Sequence, residues 1–229
     1  MKKTIIALIT LAFGMSLVHA QGLISIASRP VGSIQTNTSQ YFAQNSGTFT
    51  RGPIPTQAVA GPAYYFALLI ASTTTAGDAS PLGPDWSQAQ IFGGGGAFIT
   101  ATNSLNLTGG VSGTGGISGV AVAGWAPGTS MDVMLVGWGD FGSSWSQVKS
   151  ELQAPDFPDG NSDSFFGYSG IASVTSGGAG SPPGPAVSIF GSGIQGFDLF
   201  SVATIPEPTT LALAGLGGLS MLFLSRRKN

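Results

Sequence analysis

Two uncharged apolar runs lie near the ends of the chain. The first covers residues 5–18, follows Lys2 and Lys3, and leads into Val18-His19-Ala20. A basic start, a short apolar stretch and a small-residue site are typical of a secretory signal peptide. The run of about 14 residues is shorter than the roughly 20 that a membrane span needs. The pattern therefore predicts a signal helix over residues 1–20, which signal peptidase removes by cleavage after Ala20.

The second apolar run covers residues 209–224 and ends just before Arg226, Arg227 and Lys228. A helix of this length spans about 24 Å, and thinning of the bilayer with snorkelling of the arginines covers the shortfall from about 30 Å. The pattern predicts a single transmembrane helix whose basic tail stays in the cytoplasm. The part of the chain between the two runs is then expected on the far side of the inner membrane.

The middle of the chain, residues 21–204, has the pattern of a β protein. Short apolar stretches alternate with turn signals such as Pro-Gly, Gly-Gly and Asp-Gly, which predicts an antiparallel, jelly-roll-like β-sandwich of about 8–10 strands. One helix is predicted over residues 144–152, because Trp145, Val148 and Leu152 share a face and Ser143 or Ser144 can cap it. Strands are predicted at residues 63–71, 97–102, 120–123, 131–138, 165–174, 186–190 and 196–203, with an edge strand and loop at 33–56.

Composition narrows the chemistry of this central domain. Charged residues make up only 8% of the 229 residues, which excludes a nucleic-acid binder that needs clustered Lys and Arg. The chain has no Cys, and its one His is His19 in the predicted leader. A Ser-His-Asp triad and His or Cys metal sites are therefore excluded from the mature domain, and no cofactor is predicted.

Three weaker signals keep other kinds of site open. Residues 191–196 match the glycine pattern of a dinucleotide site, but a strand is predicted to follow and a hairpin turn is favoured. Residues 156–163 hold three Asp and one Asn, which suits either calcium or a solvated turn. A glycosidase would need two carboxylates about 5–9 Å apart. The candidates for that pair are Asp132, Asp140, Glu151 and Asp198.

Aromatic residues suggest one further possibility, a sugar-stacking platform on a face of the sandwich. Its candidate members are Trp86, Trp125, Trp138 and Trp145, with Tyr64 and Tyr65. The competing interpretation places these rings in the core, where large aromatic side chains are common.

The last 25 residues resemble a known sorting signal. Pro206, Glu207 and Pro208, the apolar run at 209–224 and the basic end at 226–228 follow one another in the order of a PEP-CTERM signal. The resemblance implies a Gram-negative bacterial export protein that is processed near Pro-Glu-Pro by an exosortase, a membrane-embedded cysteine protease. Tails of this type also carry the label "ice-binding protein, C-terminal". Ice binding itself is not predicted, because regular arrays of Thr are absent apart from one short run at 73–75.

These observations predict three regions: a signal peptide at 1–20, an extracytoplasmic domain at 21–204, and a sorting and anchor segment at 205–229. The predicted protein is exported, anchored in the inner membrane with its domain in the periplasm, and found at the cell surface or outside the cell after processing. Its predicted role is that of a non-catalytic surface or matrix protein, with exopolysaccharide as a candidate partner. The alternatives are a glycan-binding module and a carboxylate-pair glycoside hydrolase.

Overall fold

A computed structural model describes residues 21–27, 34–37, 52–56, 64–73, 80–139, 142–154, 165–178, 180, 183–191 and 193–201. Both predicted membrane segments lie outside these residues. The described part contains thirteen strands and one α-helix, α1 (Trp145–Leu152). The strands are β1 (Leu23–Ser25), β2 (Gln35–Asn37), β3 (Gly52–Pro53), β4 (Tyr64–Ala71), β5 (Ser87–Gln88), β6 (Thr100–Asn103), β7 (Val111–Gly113), β8 (Val120–Ala121), β9 (Ser130–Gly139), β10 (Phe165–Tyr168), β11 (Ala172–Thr175), β12 (Val187–Ser188) and β13 (Asp198–Ser201).

The strands form two sheets. The large sheet has the order β3-β2-β13-β10-β9-β4-β6-β7, with β11 also pairing with β9 and β5 with β4, and the small sheet has the order β12-β1-β8. The mostly β fold with one short helix is confirmed. The prediction of purely antiparallel strands is wrong, because β1 pairs with β12 and β2 pairs with β13 in parallel. Each of these pairs joins an early strand to one of the last two strands, and local sequence patterns carry no signal for such a contact.

The centre of the large sheet is buried on both faces. Strands β4 and β9 pair along their length, from Tyr64 opposite Gly139 to Ala71 opposite Asp132. Successive side chains of a strand point to opposite faces. Phe66 and Leu135 accordingly lie in a core shared with the small sheet, whereas Met134 lies in a second core on the other face. This confirms the prediction that the apolar run at 63–71 is a strand buried on both sides.

Helix α1 covers the second face. The Ser144 hydroxyl accepts a hydrogen bond from the Gln147 amide, as an N-cap residue does. Trp145 and Val148 are buried, and the half-buried Leu152 packs against the same core. The predicted helix, its cap and its apolar face are all confirmed.

One predicted strand is interrupted. Residues 165–174 form two strands, β10 and β11, which pair with successive parts of β9. The break lies at Ser169 and Gly170, where the Ser169 hydroxyl accepts a hydrogen bond from the Leu135 amide and donates one to the Gly170 carbonyl. A serine side chain that bonds the backbone in this way replaces a ladder contact and allows the chain to turn.

The glycine pattern at residues 191–196 is a turn. Gly191 has a φ of 86°, and its amide donates a hydrogen bond to the Ile194 carbonyl. The next element is β13 and not a helix, so no helix N-terminus is present to meet a pyrophosphate. The structure therefore agrees with a turn, but the predicted hairpin is wrong, because the flanking strands β12 and β13 lie in different sheets.

Candidate functional site

Four aromatic residues form one row across the large sheet. Tyr65 on β4, Trp138 on β9, Phe166 on β10 and Phe200 on β13 are successive partners in the strand register. The rings of Tyr65 and Trp138 are stacked, with centroids 6.2 Å apart. Cross-strand aromatic pairs of this kind stabilise a sheet beyond the area they bury. The row therefore ties the four central strands together on the face that carries α1.

Helix α1 covers the middle of this row. The ring of Trp145 packs 6.1 Å from that of Trp138 and stacks on that of Phe166 at 6.2 Å. Trp138 is fully buried, and its indole N–H donates a hydrogen bond to the Gly142 carbonyl at 2.9 Å. The two tryptophans are thus parts of the second core and are closed to a ligand.

The far end of the row is open to solvent. Phe200 is 49% exposed and Tyr168 is 44% exposed, and Phe166 between them is half-buried. All three rings lie on one face, because Tyr168 is two residues from Phe166 on β10 and Phe200 is directly opposite Phe166. We call these three residues the aromatic strip. It is a candidate contact surface beside the part of the sheet that α1 covers.

The four tryptophans lie in the core, as the competing interpretation predicts, and do not form a sugar-stacking platform. Trp86, Trp125, Trp138 and Trp145 are all buried, with exposed fractions of 6%, 0%, 0% and 6%. Trp125 lies in the first core, where its indole N–H donates to the Thr129 carbonyl. Burial removes these large rings from water and leaves no face free for a sugar. Sequence reasoning missed the exposed rings of Tyr168 and Phe200, because their exposure depends on what packs over them.

The sheet does not bring its candidate carboxylates together. Continuing the register of β10 and β13 by two residues places Asp198 opposite Tyr168, and Tyr168 pairs with Val136 on β9. Asp132 is four residues further along β9. The backbones of Asp132 and Asp198 are therefore about 13 Å apart along the strand direction and about 10 Å, or two strand spacings, apart across the sheet. This exceeds the separation at which two carboxyl groups cleave a glycosidic bond. Asp132 and Asp198 are therefore not such a pair.

Of the other acidic candidates, only Glu151 lies among the described residues. Glu151 is half-buried on α1, and Asp140 and the calcium candidate at 156–163 lie outside the described residues. Within the part of the chain that the structure describes, no group of three or more acidic, His or Cys side chains is placed to hold a metal ion.

A shallow groove of about 390 Å³ lies on the outer face of the small sheet. Its lining includes Ser25, Ser188, Ile117 and Phe190. The Ser25 hydroxyl is already engaged, because it donates to the Gly116 carbonyl at 2.8 Å. None of the described residues that line this groove has an ionisable side chain, so this part of the groove offers shape without a reactive group.

Comparison with known proteins bears on the segment that follows β13. Residues 204–228 match a family described as "PEP-CTERM protein-sorting motif". The chain carries this sorting motif. The PEP-CTERM motif implies an exported protein that is anchored in the membrane before an exosortase processes it. No curated protein and no solved structure matches the chain.

The PEP-CTERM motif includes every residue predicted for sorting apart from the signal-peptide site Ala20. It spans Pro206, Glu207 and Pro208 and reaches the basic residues Arg226, Arg227 and Lys228. These residues lie outside the described part of the structure, and so does Ala20. Among the described residues, no helix has the length and apolar character that a membrane crossing requires. The predicted signal helix and transmembrane helix therefore stay predictions.

The PEP-CTERM motif follows the folded domain closely. Strand β13 ends at Ser201, and the motif begins three residues later. The apolar run that starts at Thr209 is eight residues from Ser201, which is at most about 28 Å of extended chain. Anchoring through this segment therefore keeps the domain beside the membrane.

Proposed function

We propose that this chain is a surface or extracellular-matrix protein whose β domain is non-catalytic and which an exosortase releases from the inner membrane. The observation that carries the proposal is the PEP-CTERM motif joined to the last strand of a folded β domain by a very short connection. A sorting signal in this position delivers the domain that precedes it.

The proposed route has three steps. Signal peptidase removes residues 1–20 after Ala20 once the chain has been exported. The apolar run at 209–224 then holds the chain in the inner membrane, with the bases at 226–228 in the cytoplasm and the domain in the periplasm. Finally the exosortase acts near Pro206 and Pro208, which keep the segment extended and remove backbone donors, so that a protease meets an open strand.

The composition of the domain and the positions of its acids favour a non-catalytic role. The proposed mature chain, which lacks residues 1–20, holds no His or Cys. Asp132 and Asp198, the two candidate carboxylates on the large sheet, are too far apart for a glycosidase pair. An exopolysaccharide partner stays a prediction, and burial of the four tryptophans removes the platform first suggested for it.

Replacing Pro206, Glu207 and Pro208 together by alanine tests the processing step. We expect the full-length form to accumulate in the inner membrane, because the exosortase loses the extended segment that it recognises. Cell fractionation followed by immunoblotting of membrane and released material measures this effect. A matched control replaces Pro183 and Pro185, two exposed prolines of another loop, and is expected to be released as the unaltered chain is. Equal release of all three forms would contradict the proposal.

A further inference from the structure

Phe166 and Phe200, two of the three residues of the aromatic strip, lie next to the end of the sheet from which the chain leaves for the membrane, and Tyr168 lies two residues further into the sheet. Phe200 is the last residue but one of β13. Ser201 at the end of that strand pairs with Phe165, and Phe165 pairs with Gly139, the last residue of β9. The ends of three adjacent strands therefore form one edge, which we call the exit edge. The aromatic row lies one residue further into the sheet than this edge.

The carboxylates described on the large sheet lie away from the exit edge. Asp198 is the first residue of β13, and Asp132 lies near the start of β9, seven residues before Gly139. Asp140, which follows Gly139 in the sequence, lies outside the described residues. Asp198 lies opposite Tyr168 and two residues from Phe200, so one carboxylate borders the aromatic strip on the side away from the exit edge, whereas the exposed ring of Phe200 lies next to that edge.

The short connection brings the strip within reach of the bilayer. At most about 28 Å of chain separates Ser201 from the apolar run at residue 209. Aromatic side chains are favoured at the membrane–water interface, where the ring leaves water and a polar group such as the tyrosine hydroxyl stays hydrated. A short tether also gives the strip a high effective concentration at the membrane surface. A weak contact through a few rings is therefore sufficient to hold the domain against the bilayer.

We propose that, before the exosortase acts, the aromatic strip rests on the periplasmic face of the inner membrane and holds the exit edge against the phospholipid surface. The proposal rests on the anchored intermediate of the proposed function. Cleavage removes the tether. The aromatic strip then loses its high effective concentration at the membrane surface, and the weak contact dissociates. The strip is then exposed on the released protein.

Single spin labels on the full chain test this contact. The chain has no Cys, so Tyr168→Cys and Phe200→Cys each provide one attachment site for a nitroxide label. The control is Ser173→Cys, an exposed position on β11 on the same face of the sheet. The labelled chains are reconstituted in vesicles of phosphatidylethanolamine and phosphatidylglycerol, and collisions with oxygen and with a water-soluble nickel complex are measured. We expect the ratio of oxygen to nickel collisions to be several-fold higher at 168 and 200 than at 173.

Salt and added sugar distinguish the possible partners. Because the contact is apolar, we expect the collision ratio at positions 168 and 200 to stay higher than at 173 in about 1 M salt, where the Debye length is about 3 Å. The proposal would be overturned if the labels at all three positions were equally accessible to the water-soluble nickel complex. Labels that are aqueous on vesicles but become immobile when exopolysaccharide is added would also overturn it and would assign the strip to a sugar. Release of the Pro206–Pro208 variant is measured separately, so failure of the membrane contact is distinguishable from failure of the processing step.

Discussion

Replacing Trp138 by alanine is expected to lower the free energy of unfolding by about 3–5 kcal/mol. The side chain is fully buried between Tyr65 and Trp145. Its removal leaves a cavity under α1 and deprives the Gly142 carbonyl of its hydrogen bond from the indole. The loss is large because Trp138 joins the sheet to α1, the one α-helix among the described residues.

Tyr168→Ala is the control for this change, because it removes an aromatic ring from the same face of the sheet at an exposed position. We expect its effect to stay within about 0.5 kcal/mol. Pulse proteolysis of the full chain in detergent across a urea gradient measures both variants. A loss as large for Tyr168 as for Trp138 would show that the burial assigned to the two rings is wrong.

Gly167→Ala is expected to cost about 3 kcal/mol, at the upper end of the range for overpacking. A Cβ at this position would meet the backbone of β13, with the Asp198 carbonyl oxygen and the Leu199 Cα as its nearest neighbours. Backbone atoms in a paired strand cannot move aside as the end of a flexible side chain can. The added methyl group would therefore push β13 away from β10.

Gly170→Ala adds the same methyl group three residues later and serves as the matched control. Nothing lies within 4 Å of a Cβ built there, and we expect little change in stability. The same urea gradient compares the two variants. If Gly170→Ala were as destabilising as Gly167→Ala, the cost would belong to the loss of glycine itself and not to the close approach of β13.

Elements with a long local signal could be predicted from the sequence. Strands β4 and β9 are long, with eight and ten residues, and mostly apolar, and α1 has a cap followed by an apolar face of helical spacing. Strands β5 and β12 have only two residues each, too few for a period to be visible. The described part accordingly has thirteen strands where about 8–10 were predicted.

The sorting motif was readable because it is linear. Pro206 to Pro208, the apolar run and the basic end follow one another along the chain, and no fold is needed to recognise them. The aromatic strip was not readable in this way. Whether a ring is buried depends on what covers it: α1 lies over Trp138, whereas nothing described covers Phe200, and that difference is set by tertiary packing.

The most direct test of sorting by an exosortase is mass spectrometry of the C-terminal peptide of released protein. We expect this peptide to end near Pro206 to Pro208 and to lack Arg226, Arg227 and Lys228. Released protein that still carries the intact basic tail would contradict processing at the sorting motif.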